Sequence, residues 1–386
     1  MDTLRTGPTS PFGTEHDELR ASIRAFVEAE LAPHAREWEE ARSFPDSVFP
    51  ALAGQGLLGL KFPESLGGQG GDELHEAVLI EELARSGSGG VAAGIGAHCE
   101  IACTPVFTFG TPGQHERYLR PAIAGRTIGA LAITEPDAGS DVASLRTTAT
   151  ATEGGWTVSG EKTYITGGVR ADFYVTAVRT KPEGGHGGIS FLIVDRQEAV
   201  TASPLRKLGW HASDTATLAF DEAFVPSENL LGELHGGFKL IIANFGWERL
   251  TMALGAVAAM ELVLERTLGY TRERQAFGRP LTGFQATRHR LADLRAAVHI
   301  ARCVTYDALQ RHIVRDPTAT EAIVIAKLHT QRAACELIDA CLQLHGGAGY
   351  MEEYEIERAW RDARLGPIGG GTDEIMREIL SKLMGL

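Results

Sequence analysis

A glutamate occupies a position where its neighbours are apolar. Ile241, Phe245, Glu248, Met252, Gly255 and Ala259 recur at three- and four-residue spacing in a stretch that begins near Gly237, so they line one stripe of a helix. A lone carboxylate on an apolar face is costly to ionise. Glu248 is therefore either paired with a neighbour such as Arg249 or held there as a base.

Two further segments have the makings of a binding wall. Ile133-Thr-Glu-Pro-Asp-Ala-Gly-Ser-Asp141 reads as a strand end running into a tight turn of small residues, whose free N–H groups can wrap a ring or a phosphate. An ordinary Pro-Asp turn has the same letters. In Gly160-Glu-Lys-Thr-Tyr-Ile-Thr-Gly-Gly168, Tyr164 and Thr166 fall on the same side of a strand, where a flat heterocycle can stack. Core packing accounts equally for the tyrosine.

Other chemistries lack their entry signals. The chain has no G-x-G-x-x-G, G-x-x-x-x-G-K-[ST], H-E-x-x-H or G-x-S-x-G, and its 13 histidines show no metal-ligand spacing, so no metal site is expected. A net charge of −13 argues against a nucleic-acid surface or a polybasic membrane anchor. The apolar window Leu250 to Met260 is too short to span a bilayer, and no basic-then-apolar pattern opens the chain, so a cytoplasmic protein without a membrane span is expected. Five cysteines form no C-x-x-C pair and read as reduced thiols.

The elements that must position these groups fall into three stretches, 1–127, 128–235 and 236–386. The first is helical, with Leu19, Ile23, Phe26 and Val27 at helical spacing and Gly-rich breaks near residues 67–71 and 87–90; only the first dozen residues look disordered. The second holds short β-branched and aromatic runs, Thr147 to Ala151, Trp156 to Ser159, Phe173 to Thr180 and Ile189 to Val194, and is expected to be a small antiparallel β-domain. The third is helical again, with Pro280, Pro317 and Pro367 placed where helices start or stop, and with Thr318 and Glu321 spaced as a capping box. The fold class is mainly α with an inserted β-domain.

At this spacing and in this order, the two loop segments resemble those of the acyl-CoA dehydrogenase family. Arg272-Glu-Arg-Gln-Ala-Phe-Gly-Arg279, Gln343-Leu-His-Gly-Gly-Ala-Gly-Tyr350, Arg361-Asp-Ala-Arg364 and Gly370-Gly-Thr-Asp-Glu-Ile375 match family motifs in sequence, so the resemblance covers nearly the whole chain. It implies a helical N-domain, a β-barrel middle domain and a C-terminal four-helix bundle. It also implies a noncovalent FAD between the β-domain and the C-terminal helices. By motif position Ile133, Thr134, Ser140, Tyr164 and Thr166 contact the flavin within one subunit, and Thr372 and Glu374 of the last motif join them. Arg274, Phe277, Gln343 and Gly347 reach FAD across a dimer interface of a homo-oligomer, a dimer of dimers. The implied partners are an acyl-CoA substrate and an electron-transfer flavoprotein as acceptor.

The last motif departs from the family pattern. Most members carry the catalytic base as the Glu before Gly-Thr, where this chain has Gly370. Glu248-Arg-Leu250 instead resembles the subgroup of long-chain and isovaleryl-CoA dehydrogenases, whose base comes from this helix. The implied reaction is loss of the α-proton to Glu248 and of the β-hydride to flavin N5, giving a trans-2-enoyl thioester. Apolar surroundings raise the pKa of Glu248 toward that of the enolate, while Arg249 opposes this if it faces the same way. The Gly370 N–H is implied as a donor to the thioester carbonyl, a role a backbone group keeps whatever the side chain. Ser140, Arg249 and Gly369 are assigned to substrate. Gly369 either leaves room beside the reacting carbons or serves loop geometry through a positive φ. Two other readings stay open, a dehydrogenase of carrier-protein-bound acyl groups and a catalytically silent subunit.

Overall fold

The computed structural model describes residues 10–182 and 184–386. Most of the expected disordered N-terminus, residues 1–9, lies outside the described residues. The N-terminal part is built from α1 (Thr14–Phe26), α2 (Ala35–Ala41), α3 (Val48–Gly54), α4 (Glu73–Leu83), α5 (Gly89–Gly96), α6 (Cys103–Phe109) and the short α7 (Pro112–Gln114) and α8 (Arg120–Ile123). Its core is the stripe read from the sequence: Ile23 and Val27 are buried, and Leu19 and Phe26 pack against them.

A π-helical turn, Ala97–Ala102, joins α5 to α6 into one apolar helix, Gly89–Phe109. Its 21 residues, with a mean hydropathy of 1.2 over an 18-residue window, have the length and composition of a membrane span, in a stretch other than the Leu250 to Met260 window singled out in the sequence. Since 72% of that window is buried inside the protein, the helix is a core element. Glu15, His16 and His75 also gather at the starts of α1 and α4. The Nδ1 atom of each imidazole is engaged: His16 Nδ1 accepts from Gly13 N–H at 3.1 Å, and His75 Nδ1 lies 2.7 Å from the Asp72 carboxylate. Two helix N-termini with positive dipole ends are poor surroundings for a cation.

The middle part is one sheet of β1 (Gly129–Ala132), β2 (Thr148–Thr152), β3 (Gly155–Thr166), β4 (Phe173–Arg179), β5 (Ile189–Asp195), β6 (Val200–Pro204), β7 (Thr215–Pro226) and β8 (Leu230–Leu231). The order is β6-β7-β3-β2-β4-β5-β8, with β1 added to β4. Two corrections follow. The sheet is mixed, because β1 pairs with β4 in parallel and β2 meets β4 in parallel at Thr148 and Arg179. It is also open, not a closed barrel, since β6 and β8 end the order unpaired with each other. With only two residues β8 is too short to close the ring, and Gly237, the first residue of the next helix, packs against the backbone of Ile189 and Ser190 beside it.

The C-terminal part comprises α9 (Gly237–Glu273), the small hairpin β9 (Gln275–Ala276) and β10 (Arg279–Pro280), α10 (Gln285–Ile313), α11 (Ala319–His345), α12 (Glu355–Ala363) and α13 (Asp373–Leu383). The helices α9, α10 and α11 pack pairwise around Met260, Leu294, Val298 and Leu337, and α13 joins them through α11. The helix expected after Pro317 starts at Ala319, but its capping box does not form: the Thr318 hydroxyl donates to Asp316 at 2.5 Å. Cys99, Cys103 and Cys341 are buried, Cys303 and Cys335 partly so, and all five are free.

Candidate active site

The first wall of the site is held by a buried ion pair. Lys162, on β3 and fully buried, donates to the Glu135 carboxylate at 2.7 Å and to the Ile133 carbonyl at 3.0 Å. Glu135 also accepts from the backbone N–H groups of Arg146 and Thr147. Burial works against the charge on both partners. Lys162 is pushed down to about 8, whereas Glu135 is held below the usual carboxylate range because Lys162 and the backbone donors outweigh its desolvation. The turn from Ile133 to Asp141 is thereby fastened to β3, and Thr163 N–H donates to the Thr134 carbonyl at 2.8 Å.

Between Lys162 and Ile165 the register of β3 on β7 shifts, and Tyr164 sits in this irregularity with φ +60°. A bulky side chain in the left-handed region is strained. The strain has a visible result: 70% of Tyr164 is exposed, and its ring faces the cavity. Trp210, likewise at positive φ, lines the same cavity, with its backbone N–H donating to the Asp362 carboxylate at 2.5 Å. Burial, then the nearby Glu39, pushes Asp362 up to about 7.

The opposite wall is α9 with the loop before α13. Glu248 lies on the cavity, and its Oε2 has no hydrogen-bond partner among the described residues. Desolvation pushes its pKa up to about 7, although Arg249 and Lys327 pull in the other direction. Arg249 does face this way: its Nε donates to the Gly370 carbonyl at 3.2 Å, and its guanidinium rests 5.2 Å from the centre of the Phe245 ring. Lys327, buried on α11, donates to the Gly371 carbonyl at 2.6 Å. Two cations therefore hold consecutive carbonyls of a loop whose Gly370 and Gly371 have φ +62° and +93°. The N–H of Gly370 donates to no carbonyl among the described residues, which leaves it available to a ligand oxygen. Gly369 has no positive φ, so loop geometry does not explain that glycine.

One cavity of about 1240 Å³ joins the two walls. Ile133, Thr134, Ser140, Tyr164 and Thr166 line one side, and Glu248, Arg249, Gly369, Gly370 and Thr372 the other. The remaining expected residues are elsewhere. Arg274, Phe277, Gln343 and Gly347 are exposed outside it, with Phe277 at the tip of the β9–β10 hairpin and 96% accessible. Glu374 is exposed on α13 and paired with Arg377 at 3.1 Å, whereas Thr372 caps that helix by accepting from Ile375 N–H. Lys162, Trp210, Lys327 and Glu100 escaped the sequence reading. Lys327 was findable, since Ile323, Lys327, Gln331 and Ala334 share one helical face. Glu100, buried on the π-helical turn, also lines the cavity, and burial beside Glu76 pushes it up to about 8.

The walls suit a flavin. Tyr164 offers an aromatic face, the hydroxyls of Thr134 and Thr166 stand beside it, and space is open around Gly139, where a Cβ would meet nothing within 4 Å. A carboxylate raised toward neutrality and a free N–H across the same cavity supply a base and an oxyanion donor.

Comparison with known proteins gives the same picture. Residues 13–126, 130–223 and 235–385 match the acyl-CoA dehydrogenase N-terminal, middle and C-terminal domains. The long-chain specific acyl-CoA dehydrogenase of Mus musculus is 37% identical over 375 residues, 96% of this chain and 86% of that one. Isovaleryl-CoA dehydrogenase of Solanum tuberosum is 34% identical over 96% of this chain and 90% of its own. The crystal structure of a probable acyl-CoA dehydrogenase from Mycobacterium abscessus superposes with a TM-score of 0.94 at 42% identity, covering 97% of this chain and 99% of that one.

Proposed function

Because this chain belongs to the acyl-CoA dehydrogenase family of FAD enzymes, we propose that Glu248 is the base that removes the α-proton of an acyl thioester. The observation that carries this is the unpartnered Oε2 of Glu248 in a cavity also lined by Gly370, whose N–H donates to no carbonyl among the described residues. Ile133, Thr134, Ser140, Tyr164, Thr166 and Thr372 hold the flavin of the same subunit. FAD, when bound, supplies the acceptor for the β-hydride at N5. Glu248 takes the α-proton, and the Gly370 N–H with its carbonyl anchored by Arg249 steadies the developing enolate oxygen. The electrons leave to an electron-transfer flavoprotein. Arg274, Phe277, Gln343 and Gly347, exposed on one subunit, complete the FAD site of a neighbour.

Anaerobic mixing with a panel of acyl-CoAs tests the reading through loss of the oxidised flavin absorbance. Bleaching by one or more acyl-CoAs is expected. Bleaching only by acyl groups on a carrier protein would move the substrate to that class, and no bleaching by either would overturn the reading.

A further inference from the structure

The loop that carries Gly370 has little of its own to hold it. Running from Arg364 to Thr372 between α12 and α13, it contains three successive glycines, Gly369, Gly370 and Gly371, and glycine loses more backbone freedom on ordering than any other residue. None of the three has a side chain to pack, and the N–H groups of Gly370 and Gly371 donate to no carbonyl among the described residues. Order at Gly370 has to come from groups that reach in from other elements.

One helix reaches both ends of the loop. Lys327 and Gln331 are four residues apart on α11 and so share a face. At the far end of the loop, Lys327 Nζ donates to the Gly371 carbonyl at 2.6 Å. At the near end, the Gln331 amide fills the place of a side chain on Gly366, where a Cβ would overlap Gln331 Oε1. The same amide donates from Nε2 to the Met252 carbonyl at 2.7 Å, one helical turn beyond Glu248 on α9. Helix α11 thus ties the loop to the helix of the base. Packing alone does not explain Lys327, which is fully buried with its Nζ on a carbonyl rather than a carboxylate. The charges acting on it are Asp373 and Glu374 of α13 and Glu248 and Arg249 of α9. A buried cation is costly, and a methionine would fill the same space without that cost.

We propose that Lys327 and Gln331 are positioning residues for α-proton abstraction, clamping the Gly370 N–H at a fixed place relative to the Glu248 carboxylate. The inference rests on the dehydrogenase reading and deepens it. As the α-proton passes to Glu248, negative charge leaves that carboxylate and develops on the thioester oxygen, so base and donor have to be in place together. The two groups lie on separate elements, and α11 is the body that touches both.

The test uses Lys327→Met and Gln331→Met, the second of which leaves every charge in place. Three quantities are read on the FAD-loaded protein: the high-pH plateau of flavin reduction by a good acyl-CoA, the binding of an alkyl thioether of CoA, and the long-wavelength absorbance raised by a 3-thia-acyl-CoA. The thioether has no carbonyl and makes no use of the Gly370 N–H. The 3-thia compound can lose its α-proton but has sulfur where the hydride would leave, so its band reports the enolate over oxidised flavin. In each variant the plateau is expected to fall by about 10²-fold and the enolate band by about 10-fold, while the thioether binds as in the wild type. A lower Tm with plateau and band unchanged would make both residues merely structural and overturn the proposal. So would an enolate band that grows in Lys327→Met, since that cation would then act only by lowering the basicity of Glu248, and so would loss of FAD by both variants. A wild type that gives neither flavin reduction nor an enolate band overturns the dehydrogenase reading itself.

Discussion

A side chain at residue 370 and the carboxylate of Glu248 aim at the same point: a Cβ placed on Gly370 would lie 4.0 Å from Glu248 Oε1. The same Cβ would fall 2.5 Å from Met252 Sδ, one helical turn beyond Glu248. Two elements distant in sequence thus offer alternative routes for delivering one carboxylate to one place. A carboxylate from each would put like charges together in an apolar cavity, so the empty position at 370 is a condition for Glu248 to serve.

Replacing Glu248 by Gln keeps the shape and removes the base. The variant is expected to fold and retain FAD while flavin reduction by a good acyl-CoA slows by about 10²–10⁴-fold or more. Stopped-flow absorbance at the flavin band measures it, and near-normal reduction would show that another group takes the proton.

The raised pKa of Glu248 sets the direction of two pH effects. A base acts when deprotonated, so kcat/KM should rise with pH through about 7 and level off above it. Lys327→Met removes one of the cations that lower this pKa and moves the midpoint upward. Stability runs the other way. The pKa is 4.5 in the unfolded chain and about 7 in the folded one, so the folded state binds more protons between them. The contribution of Glu248 is full below pH 4.5 and is lost as pH rises through 7. Glu248→Gln cannot ionise, so its Tm relative to wild type should be higher at pH 8 than at pH 5. A difference that does not change with pH would refute the raised pKa.

The pair Lys162–Glu135 anchors the turn from Ile133 to Asp141. Lys162→Met strands a buried carboxylate and should lower stability by about 3–5 kcal/mol, with FAD released at lower urea than in wild type. Glu135→Gln added to it removes the stranded charge and should recover part of the loss. Urea titrations followed by flavin fluorescence distinguish these outcomes, and a single variant as stable as wild type would show that the pair does not hold the turn.

Much of the site was legible because it lies on periodic elements. The stripe of Phe245, Glu248, Met252 and Ala259 needed only the helical period, and all four line the cavity. Tyr164 was read from strand alternation, yet its exposure comes from an irregularity of β3 that alternation does not encode. The mixed, open sheet was missed for a similar reason. Strand runs specify strands, whereas the parallel pairing of β1 with β4 depends on partners about 44 residues apart. Lys162 escaped notice because a lysine in a strand reads as a solvated residue, and only the fold shows that its Nζ ends on Glu135. The Gly-rich break read near residues 87–90 falls where the Gly89–Phe109 helix begins, and the helix runs on through Gly94 and Gly96 because tertiary packing overrides their low propensity.

Arg274, Phe277, Gln343 and Gly347 stand outside the cavity of their own subunit, exposed. If they serve a neighbour's FAD, cofactor binding and assembly are linked, and dilution to the dissociated chain should release FAD. Arg274→Gln, losing a bidentate guanidinium for the pyrophosphate, should release it at higher protein concentration. Sedimentation with detection at the flavin band gives both quantities together. A monomer that carries a full complement of FAD would refute the shared site.

Gly369 remains as a wall of the reacting end of the cavity. Its φ is not positive, and a Cβ there would make ordinary contacts of 3.6–3.8 Å with Met252 and Leu365, so the backbone tolerates a side chain. The glycine therefore leaves space beside Met252, one turn from Glu248. Gly369→Tyr should fold and bind FAD, because it adds no backbone strain, but its ring enters the region that a branch near the thioester would use. The ratio of kcat/KM for isovaleryl-CoA over a straight-chain acyl-CoA should fall by roughly 4-fold or more, the equivalent of one buried methylene. Steady-state kinetics on the two substrates measures it, with flavin content and Tm recorded on the same preparation. A folded, FAD-loaded Gly369→Tyr with the wild-type ratio would place the branch of the substrate elsewhere in the cavity.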